Sequence, residues 1–228
     1  MSEKDIQLAV IDMAGTTVAD DGLVVSAFES AATAAGLPAD GAERDNARQY
    51  VLDTMGQSKI VVFRALFSTE ALALRANAEF ERAYAELIDD GQARAIDGAA
   101  ESITALRDAG IKVALSTGFS GVTQDKLLAA LGWQTLADLV LAPGGEVRGR
   151  PYPDLILTAL IRLRADGVAR VAALGDTASD IECACRAGVA IAAGTLTGAH
   201  DEEQLRAAGA THVVGSIVDF TDLLLQGQ

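Results

Sequence analysis

The sequence predicts an α/β fold, with a mostly parallel sheet covered by helices on both faces and an all-helical segment inserted after the first strand. Three observations predict it. Beyond about residue 95, short apolar runs alternate with helical stretches at βαβ spacing, whereas roughly 21–94 reads as helix throughout. Half of the residues are apolar but only 4% are aromatic, which suits Ala- and Gly-rich helices packed closely on a sheet. With 228 residues, the chain can bury a substantial core as one large domain or as a core with an insert.

The first strand is the apolar run from Leu8 to Ile11, ending in Asp12 and followed by Gly15, Thr16 and Thr17. A helix is expected over 23–36, stopped by Gly36 ahead of Leu37-Pro38. A polar segment, 40–48, leads into a second helical stretch. After the Met55-Gly56 break come helical residues 57–67 and a long amphipathic helix over 70–89. Alternation then begins, with helix 99–109, strand 111–116, helix 121–131 and strand 137–142. A loop over 143–151 precedes helix 154–164, strand 170–174, helix 178–187 and strand 189–193. Helix 201–208, strand 212–215 and helix 219–225 complete the chain. These boundaries divide it into a core of residues 1–20 and 95–228 and an insert of 21–94.

The formal net charge of -14 is spread along the chain, a field that disfavours nucleic acid and anionic membrane as partners. An anionic substrate therefore needs local cations or a metal. No apolar run approaches the ~18 residues of a membrane span, and the N-terminus lacks a signal-peptide core, so the cytoplasm is the expected compartment. Cys183 and Cys185 stand two apart in a helix and so point in different directions; buried small side chains are their expected role. His200 and His212 are expected at the surface or in packing.

Four strand ends carry polar residues. They are Asp12 with Thr16 and Thr17; Ser116-Thr117-Gly118; the basic loop Arg148-Gly149-Arg150-Pro151-Tyr152-Pro153; and Gly175-Asp176-Thr177-Ala178-Ser179-Asp180. In a parallel sheet these ends share one edge and can converge on one pocket. Carboxylates from separate loops, a hydroxyl and an arginine suit a Mg²⁺–phosphoryl site. The carboxylate oxygens suit the hard cation, while hydroxyl, backbone N–H and guanidinium groups suit phosphoryl oxygens. Helix capping by Asp176, Thr177 and Asp180, and turn capping by Asp12, remain open beside this reading.

The motifs Asp12-x-Ala14-Gly15-Thr16-Thr17, Ser116-Thr117-Gly118, Gly149-Arg150-Pro151-Tyr152-Pro153 and Gly175-Asp176-Thr177-x-Ser179-Asp180, in this order, resemble the haloacid dehalogenase superfamily. They are most similar to its phosphonatase branch, typified by phosphonoacetaldehyde hydrolase. The resemblance implies a Rossmann-like three-layer core with a small mobile helical cap, and Mg²⁺ as cofactor. It implies that Asp12 is the nucleophile that accepts the phosphoryl group, and that Asp12, the Ala14 backbone carbonyl, Asp176 and Asp180 hold the metal. Ser116, with Thr16, Thr117 and Gly118, would bind the phosphoryl group or substrate, and Arg150 would offset the charge. The implied substrate is a small anionic phosphonate or phosphate, and the cap helices of the branch suggest a homodimer.

Ala14 is the informative position. Ordinary phosphatases of the superfamily carry there an Asp that protonates a leaving oxygen, which alanine cannot do. The phosphonatase branch shares the alanine because its leaving group is carbon, made an electron sink by an imine to a cap lysine. The segment Met55-Gly56-Gln57-Ser58-Lys59 resembles that branch's Met-Gly-x-x-Lys stretch and puts Lys59 in this role, with Ile60 to Phe63 expected to supply apolar surroundings. Three positions depart from the branch. Val62 stands where it has a histidine, Gly22 where it has a cysteine, and Phe119 where it has a tyrosine. A phosphate-monoester phosphatase and a noncatalytic metabolite- or partner-binding protein are the alternative readings.

Overall fold

The structure, a computed structural model, describes residues 6–226. Strand β1 (Leu8–Asp12) is buried along its whole length, as a central parallel strand covered on both faces must be. A tight loop leads to the two-residue strand β2 (Val18–Ala19). Four helices follow: α1 (Leu23–Ala34), α2 (Ala42–Asp53), α3 (Lys59–Leu66) and α4 (Glu70–Asp89). Strand β3 (Arg94–Ala95) returns antiparallel to β2, closing the base of the helical insert, and Asp21 pairs with Arg94 beside this ribbon.

The remaining elements are α5 (Ala99–Asp108), β4 (Lys112–Ser116), α6 (Gly121–Leu131), β5 (Leu139–Leu141), α7 (Asp154–Leu163) and β6 (Val171–Gly175). After them come α8 (Ala178–Ala187), β7 (Ile191–Thr195), α9 (Glu202–Ala207), β8 (His212–Val214) and α10 (Ile217–Gln226). Six strands form one sheet in the order β5-β4-β1-β6-β7-β8, every neighbouring pair parallel. The register sets Asp12 directly beside Ser116, and Ile11 beside Leu174. The nucleophile candidate, the hydroxyl after it and the loop beyond β6 therefore emerge at one sheet edge.

The period of two along β1 divides the core. Leu8 and Val10 join Leu155, Ile156, Ala159, Cys183 and Ala184 on the face covered by α7 and α8. Ala9 and Ile11 join Ile103, Leu106, Leu127, Ile217 and Phe220 on the face covered by α5, α6 and α10. Each large side chain so buried contributes about 1.5–3 kcal/mol. The aromatic residues are scarce but concentrated. Five of the six phenylalanines form a ladder with Tyr84, running from Phe28 in α1 through Phe63, Phe67 and Phe80 to Phe119 beyond β4. It joins the insert to the sheet edge.

The loop between α2 and α3 also touches the core. A side chain at Gly118 would place its Cβ 2.5 Å from the Gly56 carbonyl oxygen, and one at Gly56 would meet Thr177 Oγ1 at 2.4 Å. Only glycine permits these backbones to approach so closely.

Several local expectations change. The polar stretch 40–48 is helical from Ala42. Its Arg44 is buried because the guanidinium pairs with Glu29 and also donates to the Glu29 carbonyl. The β2–β3 ribbon was hidden because two-residue strands carry no periodicity. The strand expected at 189–193 runs from Ile191 to Thr195, since Val189 still bonds to the end of α8 through the Ala184 carbonyl. Cys183 is buried as expected, but Cys185 is exposed. Among the described residues, no helix is long and apolar enough to cross a membrane.

Candidate active site

Arg150, in the loop between β5 and α7, is the hub of the sheet edge. Its buried guanidinium reaches Asp12 Oδ1 at 2.6 Å through Nη1 and donates to Ser116 Oγ at 2.7 Å through Nη2. Its Nε lies 2.8 Å from Asp180 Oδ1. A planar fork can hold three fixed directions in this way, which a lysine ammonium on a flexible stem cannot. Arg148, by contrast, is exposed, pairs with Asp154 and stacks on Tyr152, away from the site.

The loop after β6 holds two more carboxylates. Asp176 accepts from Thr16 Oγ1 at 3.3 Å and from the Ala199 N–H at 2.8 Å. Asp180 closes a capping box at the start of α8, accepting from Thr177 N and Oγ1 through Oδ2, while its Oδ1 faces Arg150. Asp180 therefore caps a helix and belongs to the ionic cluster at once. Thr16 is turned to Asp176, whereas Ala14, Thr117 and Gly118 line an open cavity of about 230 Å³. Asp12, Lys59, Arg150 and Asp176 line the same cavity; Ser116 and Asp180 stand behind Arg150.

Burial pushes the Asp12 carboxyl up to about 7, against the pull of Arg150 and with the help of the Asp180 charge. Burial and the charges of Asp12 and Asp180 likewise hold Asp176 well above the ordinary carboxylate range. Three buried carboxylates stand at this sheet edge and two of them, Asp12 and Asp180, meet the single guanidinium, which leaves an excess of negative charge and of hard oxygen donors. Asp12, Asp176 and the Ala14 carbonyl are the residues that would hold a divalent cation such as Mg²⁺; among the described residues, no three acidic, histidine or cysteine side chains by themselves form a ligand cluster.

Lys59, the first residue of α3, brings its amine end inside the cavity, with Nζ 5.5 Å from the Phe119 ring centre and 5.8 Å from that of Phe80. Among the described residues it has no hydrogen-bond or ion-pair partner. Burial lowers the amine to about 8, opposed by the charges of Asp20 and Asp12. The apolar surroundings expected from Ile60 to Phe63 come instead from α4 and the loop after β4. Val61 is half exposed, and Val62 and Phe63 turn into the helical core.

Sequence reading missed a fifth strand end. After β7, Thr197 donates to the Gly15 carbonyl at 2.7 Å, and Gly198 and Ala199 close over Asp176. The Thr195-Leu196-Thr197-Gly198 run directly after an apolar strand was the available signal. His200, expected to be surface or packing, accepts from the Ala178 N–H at 2.8 Å and so secures the start of α8.

A family model for haloacid dehalogenase-like hydrolases matches residues 6–188 of the chain. The chain belongs to this family. Among curated relatives, the probable phosphatase IndB of Dickeya dadantii (strain 3937) is 28% identical over 205 residues, covering 88% of this chain and 86% of that protein. The phosphonoacetaldehyde hydrolase of Pseudomonas putida is 37% identical over 97 residues, but the match covers 41% of this chain and 34% of that protein. Among solved structures, a hydrolase from Pseudomonas syringae superposes with a TM-score of 0.84 at 23% identity, over 96% of this chain and 98% of that one. A phosphonoacetaldehyde hydrolase-like protein from Oleispira antarctica superposes with a TM-score of 0.80 at 22% identity, over 100% and 97%. At those identities the likeness is one of fold. This haloacid dehalogenase-like hydrolase thus has the three-layer core of its family, with the helical insert facing the C-terminal edge of the sheet.

Proposed function

We propose that this hydrolase cleaves the C–P bond of phosphonoacetaldehyde or a close analogue through an aspartyl-phosphate on Asp12 and an imine on Lys59. The observation that carries the reading is the pairing of Lys59 with Ala14. An amine with no hydrogen-bond or ion-pair partner among the described residues enters the cavity of the nucleophile, and no acid stands two residues after Asp12 to protonate a leaving oxygen. Residues 1–20 and 95–228 serve as the core and 21–94 as a cap, docked through Gly56 and Gly118 so that water is kept from the imine.

The aldehyde carbon bonds to Lys59 Nζ with loss of water. An Asp12 carboxylate oxygen then attacks phosphorus as the C–P bond breaks, and that electron pair enters the protonated imine to give an enamine. Protonation of the enamine carbon and hydrolysis of the imine release acetaldehyde, and water then releases phosphate from Asp12. Arg150 holds Asp12 and Ser116 in register throughout, and with Thr117 and Gly118 it receives the phosphoryl oxygens. Mg²⁺ bound by Asp12, Asp176, the Ala14 carbonyl and, directly or through water, Asp180 would screen the repulsion between carboxylate and phosphoryl anion.

A second reading, a phosphate-monoester phosphatase, is favoured by one finding: a relative aligned along 88% of this chain is named a probable phosphatase. Borohydride trapping decides between them. Reduction in the presence of phosphonoacetaldehyde is expected to leave an adduct on the peptide carrying Lys59. Turnover of the aldehyde without such an adduct removes the imine mechanism.

A further inference from the structure

Imine formation needs a proton carrier beside the amine, to take protons from nitrogen and deliver them to the departing carbonyl oxygen. The next turn of α3 supplies none, since Val62 is buried and apolar. Four charges act on Lys59: Asp20, Asp12, Arg150 and Asp176. Asp12 and Arg150 are tied to each other at the phosphoryl end, and Asp176 is held there by Thr16 and the Ala199 N–H. Asp20 is not. It follows the β2–β3 ribbon strand at Ala19, lines the cavity beside Lys59, and has Oδ1 held by the Val24 N–H at 3.1 Å against the first turn of α1. No hydrogen bond or ion pair joins it to Lys59 among the described residues, and both border the cavity that a substrate would enter.

We propose that Asp20 is a further catalytic residue, the proton shuttle between Lys59 and the carbonyl oxygen of the substrate. This rests on the imine reading of the site. Asp20 first takes a proton from the Lys59 ammonium, and the neutral amine bonds to the carbonyl carbon as the C=O pair moves to oxygen. The protonated Asp20 gives that oxygen its proton, takes one from the nitrogen of the adduct, and returns it to the hydroxyl. The C–O bond then breaks, water leaves, and the nitrogen lone pair closes the protonated imine. Asp20 ends as it began, a carboxylate, and the only by-product is water. Burial raises the Asp20 carboxyl above its ordinary value, which brings it nearer to the amine it serves.

The test is a rapid-quench time course of borohydride-trapped adduct on Lys59, with phosphonoacetaldehyde as the probe. Asp20→Asn keeps an oxygen for the Val24 N–H and is expected to form adduct about 10²-fold more slowly or worse. Asp21 also borders the cavity but is exposed and already paired with Arg94, so Asp21→Asn removes a neighbouring charge of the same sign and is expected to stay within about twofold of wild type. Asp20→Ala should regain rate with added acetate or formate, a response that a merely structural carboxylate would not give. Adduct formation by Asp20→Asn at the wild-type rate overturns the shuttle while leaving the imine standing. Absence of any adduct in wild type overturns the imine reading and the shuttle with it.

Discussion

Replacing Arg150 with alanine tests the electrostatic frame of the site. The guanidinium is almost wholly buried and contacts Asp12 at 2.6 Å, Asp180 at 2.8 Å and Ser116 Oγ at 2.7 Å. Breaking one buried ion pair by deleting a partner costs about 3–5 kcal/mol, because the remaining charge is stranded away from water. Arg150→Ala strands two carboxylates and a hydroxyl. Asp12 can relieve part of that by taking up a proton, so the loss falls at about 4–5 kcal/mol. For a chain of this length that corresponds to a fall in Tm of about 8–20 °C. The assay is calorimetry or dye-monitored melting in chelator, then in millimolar Mg²⁺. Because the variant carries more uncompensated negative charge, Mg²⁺ should raise its Tm more than that of wild type. Arg150→Lys should lie between the two, since a point charge cannot span both carboxylates. A fall in Tm below about 2 °C, or equal responses to Mg²⁺, would refute the argument that one guanidinium balances the cluster.

Other expectations follow from single contacts. Gly118→Ala sets a methyl group 2.5 Å from the Gly56 carbonyl oxygen. It should cut turnover at least about tenfold by holding the insert off the core, with faster proteolysis of the 54–58 loop as the second readout. Tyr84 is fully buried with a hydroxyl that finds no hydrogen-bond partner among the described residues. Tyr84→Phe should therefore leave Tm unchanged or raise it, and a clear fall would show that the hydroxyl is satisfied. Thr177→Ala removes the N-cap of α8 and a donor to Asp180, for an expected loss of about 0.5–2 kcal/mol measured by urea unfolding. With the Lys59 amine lowered to about 8, trapping on Lys59 should rise about tenfold per pH unit below that value and level off above it. An amine of ordinary basicity would still be gaining at pH 10.

The core was legible in the sequence because its signals are local. Buried parallel strands read as apolar runs, and Asp12, Ser116 and Asp176 end or follow such runs directly, so the parallel register brings them to one edge, which Arg150 reaches from the loop after β5. What was not legible depends on partners remote in the chain. Arg44 looks like part of a solvated charged face until Glu29 is folded against it. The rings beside Lys59 come from Phe80 and Phe119, 21 and 60 residues away, rather than from its own helix. Asp20 reads as one of two adjacent acids in a turn; both reach the cavity, and only folding shows Asp20 half-buried and Asp21 exposed and paired with Arg94. Capping and membership of the cluster were compatible readings of Asp180, and its two oxygens perform both tasks.

The central claim is that Lys59 makes this site a C–P hydrolase rather than a general phosphatase. Phosphate release from phosphonoacetaldehyde and from a set of common phosphate monoesters, measured for wild type and Lys59→Ala side by side, tests it most directly. The account predicts turnover of the phosphonate by wild type and its loss, by at least about 10²-fold, in Lys59→Ala. Efficient monoester hydrolysis that is the same in both proteins, with the phosphonate untouched, would contradict it.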